Sequence, residues 1–152
     1  MRVGLISDTH GLLRPEALAA LRGVDHIVHA GDAGAPEILE RLARLAPLTA
    51  VRGNVDRGAW AERLPATAQV ELGGSWFHVL HVIDDLDLDP RASGFAVVVY
   101  GHSHKPDCRR SDGVWFVNPG SAGPRLFRLP VTVALAEVEP ARIEISFVEL
   151  PA

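Results

Sequence analysis

Residues Arg2 to His10 read RVGLISDTH, an apolar run, Arg2 to Ser7, that ends on the polar tip Asp8-Thr9-His10. A short apolar run bounded by polar residues reads as a buried strand. The pattern returns twice: Val24 to Ala30 (VDHIVHA) ends on Gly31-Asp32, and Leu48 to Arg52 (LTAVR) ends on Gly53-Asn54. Between the first two runs Pro15 suits the first turn of a helix, with Leu18 and Leu21 at helical spacing. Between the second and third, Pro36 opens a helix in which Ile38, Leu39, Leu42 and Leu45 form one apolar stripe, and Pro47 closes it. This β-α-β-α-β order implies parallel strands joined by right-handed crossovers. The carboxyl ends of such strands line one crevice, so the three polar tips should converge.

The second half changes character. Gln69 to Leu72 and Trp76 to Val82 flank Gly73-Gly74, a hairpin signal, and Phe95 to Tyr100 is strand-like. Asp112-Gly113 turns a second hairpin into Val114 to Val117, and Val131 to Val138 pairs with Arg142 to Leu150 around Pro140. Parallel strands first and hairpins later predict two stacked sheets with helices outside: an α/β protein, α+β by some schemes. No repeat, low-complexity tract or Ser/Gly linker interrupts residues 1–152, so one domain is expected. A domain of this size buries roughly 70% of its unfolded surface and needs no structural metal. A metal cluster here should therefore serve chemistry.

Polar residues follow the strand ends with regularity. Besides Asp8, His10, Asp32 and Asn54, the hairpin strand ends at His81 and the next one at Gly101-His102-Ser103-His104. The glycines before Asp32, Asn54 and His102 are expected to permit sharp turns off the strand tips. Two Asp, one Asn and four His have the composition of a dinuclear metal site. Imidazole with carboxylate suits Mn, Fe, Zn, Ni or Co, whereas Mg and Ca prefer all-oxygen shells. Two dications outweigh two carboxylates and a hydroxide, which leaves a positive pocket on a chain of net charge −4 and points to an anionic substrate.

Composition excludes other classes. The only lysine is Lys105, and the densest basic pair is Arg109-Arg110, so attraction to nucleic acid or an anionic membrane is not expected. No apolar run approaches the eighteen or so residues of a membrane span, and Val3 to Ile6 is too short for a signal peptide, so a cytoplasmic protein is expected. Cys108 stands alone without a neighbouring base and reads as structural, in keeping with a reducing compartment. His26, His29 and His78 lie inside strand patterns and read as satisfied core or surface residues. The acidic stretch Asp84 to Asp89 lacks the glycine and terminal glutamate of a calcium loop and reads as a helix start or solvated loop.

Taken in order, Asp8-x-His10, Gly31-Asp32, Gly53-Asn54, His81 and Gly101-His102-x-His104 resemble the motifs of the calcineurin-like metallophosphoesterases. The compact length, the Gly-Asn-x-Asp form at Gly53 to Asp56 and the Asn118-Pro119-Gly120-Ser121 turn are similar to the small bacterial and archaeal phosphodiesterase branch. The resemblance implies a four-layer αββα sandwich of two mixed β-sheets, with the metal site at the strand carboxyl ends. It implies one metal on Asp8, His10, Asp32 and His104, and another on Asp32, Asn54, His81 and His102, so that Asp32 bridges. Two divalent transition metals per chain are implied, Mn foremost, then Ni, Co, Fe or Zn. The catalytic set is then Asp8, His10, Asp32, Asn54, His102 and His104. The reaction implied is hydrolysis of a small phosphate ester, a diester before a monoester, by a hydroxide held between the metals. A homo-oligomer is compatible with this reading.

Two positions depart from the family pattern. Val82 stands where the family usually has glycine, which predicts backbone strain next to His81. Val55 stands where many relatives carry a histidine that protonates the leaving group. The alternative reading is a non-catalytic protein-binding scaffold of the same fold, similar to the retromer subunit. That reading expects eroded ligands, and here all seven motif positions hold ligand-capable residues.

Overall fold

The computed structural model describes Met1–Ala152. Strands β1 (Arg2–Ile6), β2 (His26–His29) and β3 (Leu48–Ala50) are parallel, with helices α1 (Pro15–Ala20) and α2 (Pro36–Leu45) as the crossovers. Both helices carry proline in their first turn, where the missing N–H has no partner to lose. Strands β9 (Val131–Glu139) and β10 (Arg142–Leu150) complete this sheet in the order β10-β9-β1-β2-β3, running antiparallel at that edge.

After the short helix α3 (Ala59–Glu62), the second sheet takes β4 (Thr67–Leu72), β5 (Ser75–Leu80), β6 (Phe95–Val99), β7 (Asp107–Ser111) and β8 (Val114–Asn118). Its order is β4-β5-β6-β8-β7, parallel across β5, β6 and β8 and antiparallel at both edges. Both predicted hairpins form, across Gly73-Gly74 and Asp112-Gly113. Four of the five site-bearing strands, β1, β2, β5 and β6, are therefore interior to their sheets, and their tips cannot be displaced without breaking pairing on both sides; β3, which precedes Asn54, is an edge strand.

Alternation along the strands sorts the core into layers. Val3, Leu5, Val28, Phe77, Val79, Val97 and Val99 fill the space between the two sheets. Ile6, Ile27 and Val133 point the other way, against Ala17, Leu21, Ile38 and Leu42 of the helical layer. Leu45, expected in the α2 stripe, is 37% exposed, because the helix ends there and Ala46 takes the buried place. The outer face of the second sheet buries Leu80, Val98 and Tyr100 under Ile83 and Leu86. The fourth layer is thus reduced to the 3₁₀ turn Ile83–Asp85 and the chain after it, where the acidic stretch lies. No helix is long and apolar enough to cross a membrane.

Phe77 is the largest fully buried side chain of the inter-sheet layer. Phe77→Ala should cost about 3–5 kcal/mol in urea unfolding at neutral pH, since neither sheet can collapse into the space. A loss under about 1 kcal/mol would mean that the sheets slide together to fill it.

Candidate metal centre

The strand tips of both sheets meet at one edge. Asp8 N–H donates to Gly31 O at 3.0 Å and His10 N–H to Asp32 O at 2.9 Å, so the chain after β1 stays zipped to the chain after β2. Gly101 N–H donates to His81 O at 2.9 Å and ties the tips of β5 and β6 in the same way. The sheets are joined across the gap by His102 N–H, which donates to Asp8 Oδ2 at 3.1 Å.

Asp8, His10, Asp32, His102 and His104 all adopt positive φ, between 47° and 73°. Non-glycine residues there are uncommon and cost energy, and they cluster at functional sites. Of the three preceding glycines, only Gly31 is itself left-handed. Gly53 and Gly101 are needed for another reason: a Cβ on Gly53 would lie 2.1 Å from Asp32 Oδ1, and one on Gly101 2.2 Å from Ser7 Oγ. The expected turn at Gly31 is shared with Asp32, that at Gly101 falls on His102, and neither Gly53 nor Asn54 is left-handed. Val82, in contrast, is extended at φ −110°, so the strain expected beside His81 is absent.

Each carboxylate has one oxygen fixed and one aimed inward. Asp8 Oδ2 accepts from Ser7 Oγ at 2.8 Å as well as from His102 N–H. Its Oδ1 is buried without a hydrogen bond, 3.5 Å from His10 Nε2 and 3.4 Å from His104 Nε2. Asp32 Oδ1 accepts Val55 N–H at 2.9 Å, and its Oδ2 lies 3.0 Å from His81 Nε2 and 3.7 Å from His10 Nε2. His81 Nδ1–H donates to Ala30 O at 2.8 Å, which leaves the Nε2 lone pair facing the site. A backbone carbonyl in this position is the usual partner of a metal-ligating histidine. Although Nε2 is close to Asp32 Oδ2, it lacks the alignment of a hydrogen bond. Both atoms point at a common place.

Two triads result: Asp8 with His10 and His104, and Asp8 with Asp32 and His81, the ligand atoms of each lying within 4.8 Å of one another. His104 Nδ1 is a third buried atom without a partner. His102 is exposed, its ring 5.4 Å from that of His81, and exposed Asn54 borders a cleft with His81. Asp8 Oδ1 is the atom common to both triads, while Asp32 Oδ2 reaches imidazoles of both.

The electrostatics fit a cation. The Asp8 carboxylate beside His10 holds that imidazole above its ordinary value, against the effect of burial. Burial pushes His81 down, but the carboxylates of Asp32 and Asp8 and the Ala30 carbonyl more than reverse it and the net shift is upward. Burial also opposes ionisation of Asp32, and the adjacent His81 imidazole and the hydrogen bond from Val55 N–H bring it below its ordinary value. Burial lowers His104. Asp32, His10 and His81 are each shifted toward the charged form, and a bound cation would stand where protons on the two imidazoles otherwise would.

Several supporting residues carried little sequence signal. His29, read as a satisfied core residue, is fully buried and also ties two ligand loops. Its Nδ1 accepts Gly31 N–H at 3.1 Å, so Nε2 carries the proton and donates to Thr9 Oγ1 at 3.0 Å; that hydroxyl passes its own to Ala33 O. Burial pushes the imidazole down to about 4. Asp56 accepts three backbone N–H groups, from Asp32, Gly34 and Gly53 at 2.8–3.0 Å, and locks the second ligand loop to the third. Asn118 Nδ2 donates to Gly101 O and Ser103 Oγ, and Ser121 Oγ donates to Asp8 O, so the Asn-Pro-Gly-Ser turn buttresses the site. His26 and His78 are satisfied by Thr49 and Gln69, away from the site. Cys108 is half-buried, and burial pushes its thiol up, against any nucleophilic use.

Two carboxylates and a ring of imidazoles at the meeting edge of two mixed sheets define a metal-dependent phosphoesterase. Residues 1–141 match the model of the calcineurin-like phosphoesterase superfamily domain, and the chain belongs to that superfamily. A probable metallophosphoesterase of Methanothermobacter thermautotrophicus is 35% identical over 95% of this chain and 91% of its own. Among solved structures, an archaeal phosphodiesterase superposes with TM-score 0.80 at 24% identity, covering 97% of this chain and 100% of that one. Vps29 of Entamoeba histolytica, crystallised with zinc, superposes with TM-score 0.78 at 19% identity over 98% and 99% of the two chains. At these identities the structural matches speak for the fold alone.

Because His10 and His81 are held above the ordinary imidazole value, a metal must displace their protons. Affinity should therefore rise with pH through and above about 6.5 and level off once both rings are neutral. Calorimetry in buffers of different ionisation enthalpy should find proton release on metal binding that shrinks as pH is raised. Release independent of pH would show both rings already neutral in the metal-free protein.

Proposed function

We propose that this chain is a phosphodiesterase that holds two divalent transition metals side by side, Mn foremost and Ni, Co, Fe or Zn as substitutes. The observation that supports it most is the pair of adjoining triads, with Asp32 Oδ2 3.7 Å from His10 of one and 3.0 Å from His81 of the other, together with the unsatisfied buried atoms Asp8 Oδ1, His81 Nε2 and His104 Nδ1. Buried polar atoms without partners are rare in native proteins and call for an ion or water. Mixed imidazole and carboxylate donors suit a borderline metal rather than Ca²⁺. Asp8, His10, Asp32 and His104 would hold one metal, and Asp32, Asn54, His81 and His102 the other. When bound, such metals supply Lewis acidity, lowering the pKa of a water and offsetting charge on phosphoryl oxygens.

The protein's own part is positioning. Val55 N–H fixes Asp32 Oδ1, while Ser7 and His102 N–H fix Asp8 Oδ2, so both inward oxygens are set before any ligand arrives. The likeness to an archaeal phosphodiesterase supports a diester substrate. The single half-buried Cys108 accords with a reducing, cytoplasmic setting. Val55, 48% exposed, presents no group that can donate a proton to the leaving oxygen.

The test is metal content and ester hydrolysis on the purified protein. Metal should approach two per chain, and after chelation Mn²⁺ should restore turnover of an aryl diester far better than Ca²⁺. Asp32→Asn should lose both metals; two tightly held metals in that variant would remove its bridging role, and best restoration by Ca²⁺ would sink the ligand set.

Leaving-group dependence should be steep. General acid catalysis typically contributes about 10²–10⁴-fold, most for basic leaving groups. Val55→His should therefore raise single-turnover rates for poor leaving groups more than for good ones. A shallow dependence on leaving-group pKa, unchanged by the substitution, would show that another residue already donates the proton.

A further inference from the structure

A cleft of about 210 Å³ opens directly beside the metal centre and is bordered by two residues assigned to it, Asn54 and His81. Its remaining walls come from three separate segments: Arg52 and Gly53 after β3, Ala66 and Thr67 at the start of β4, and Leu80 at the end of β5 with Val82 and Asp85 beyond it. Backbone pairing holds these segments together, since Arg52 N–H donates to Pro65 O at 2.9 Å and β4 pairs with β5 from Thr67 opposite Leu80 onward. A larger hollow, about 520 Å³, lies by Arg91 and Asp112 and contains none of the site residues. Only the smaller one is placed to receive a group attached to phosphorus.

We propose that this cleft receives one ester arm of the substrate and selects an uncharged, hydroxyl-bearing ring. The inference rests on the phosphodiesterase reading and adds to it the chemistry of the arm. Size comes first: pockets that enclose whole small ligands run roughly 300–1,000 Å³, so this one takes a single substituted ring. Charge comes second. Arg52 and Asp85 line the cleft, neither is in an ion pair, and their charges sum to zero. A second phosphate on the arm would gain from Arg52 and lose to Asp85, whereas hydroxyls can donate to the carboxylate and accept from the guanidinium. Surface comes third. Leu80, Val82 and Ala66 give the ring face an apolar wall, and the Thr67 hydroxyl adds a further polar contact. Val82 reaches the wall because its backbone is extended.

The experiment uses three diesters that release the same p-nitrophenolate from the manganese-loaded protein. Their second arms are methyl, thymidine joined through its 5′ oxygen, and the same thymidine carrying a 3′-phosphate. The thymidine arm should exceed methyl in kcat/KM by roughly tenfold or more, the scale of pocket discrimination. The phosphorylated arm should gain nothing beyond thymidine. Asp85→Ala and Ala66→Trp, both outside the metal ligands, should each collapse the thymidine preference while leaving the methyl ester rate within about twofold. Thymidine alone, followed by amide NMR on the metal-free protein, should shift Thr67, Val82 and Asp85. A preference unchanged in both variants, or a phosphorylated arm that is favoured, would overturn the proposal. If no ester is cleaved while the NMR shifts fall in the cleft, the hydrolase reading fails and the binding site stands; if esters are cleaved without discrimination, only the arm assignment fails.

Discussion

Asp8 Oδ1 and Asp32 Oδ2 belong to one group of ligand atoms within 4.8 Å, at a place where both side chains are buried. Two like charges this close, away from water, repel strongly, and ordinarily one would take up a proton. Here Asp32 instead remains below the ordinary carboxylate value. Cationic partners meet the repulsion: His10 lies within 3.7 Å of both carboxylates and His81 within 3.9 Å of both. The arrangement of imidazoles around the carboxylates, the upward shift of His10 and His81, and the fit of the site to a divalent cation all follow from that one constraint.

The fold's contribution is to make the constraint unavoidable. Asp8 and Asp32 follow adjacent parallel strands whose register is set by Val3 opposite His26 through Ile6 opposite His29. Loops after such strands emerge side by side, and Gly31, Gly53 and Gly101 let them approach without a Cβ between them. The second sheet then delivers His81 and the His102-Ser103-His104 turn across the gap, held by Asn118 from β8. Neutral His29 and anionic Asp56 do complementary work beneath. One ties the first ligand loop to the second, the other ties the second to the third, and neither is aimed at the metal positions.

What was legible in the sequence was whatever depends on local pattern. Apolar runs gave every site-bearing strand, and proline placed both crossover helices. The recurrence of Asp, Asn and His at strand tips assembled the candidate ligands. Less legible was anything set by close approach in three dimensions. Glycine at 53 and 101 reads in sequence as a turn residue, yet its role is to leave room for Asp32 and for Ser7. The same limit applies to Asp56, which only a folded chain can place against N–H groups 22 and 24 residues away. Val82 shows the converse error: strain inferred from a missing glycine vanished because the chain leaves β5 extended. Five of the seven candidate ligands are left-handed instead, and His81 is not among them. A local rule identifies candidates for strain, and only the pairing of strands decides where the strain falls.

That strain bears on the choice between enzyme and scaffold. Left-handed backbone at a non-glycine residue costs on the order of 1–3 kcal/mol, and five such residues face one another here. Against a typical total stability of about 5–15 kcal/mol this is a heavy load in one place. A surface that only docks a protein gains nothing from twisting Asp8, His10, Asp32, His102 and His104 inward, and it gains nothing from leaving Asp8 Oδ1 and His81 Nε2 buried without partners. Relaxing any of them would stabilise a scaffold at no loss to its outer face. A metal centre needs those same features, because binding a dication to preset, uncompensated donors recovers in the bound state what the folded chain gives up. Conformation and donor chemistry thus favour the same reading independently: the site is built to be filled by a cation, and a filled site of this composition activates water.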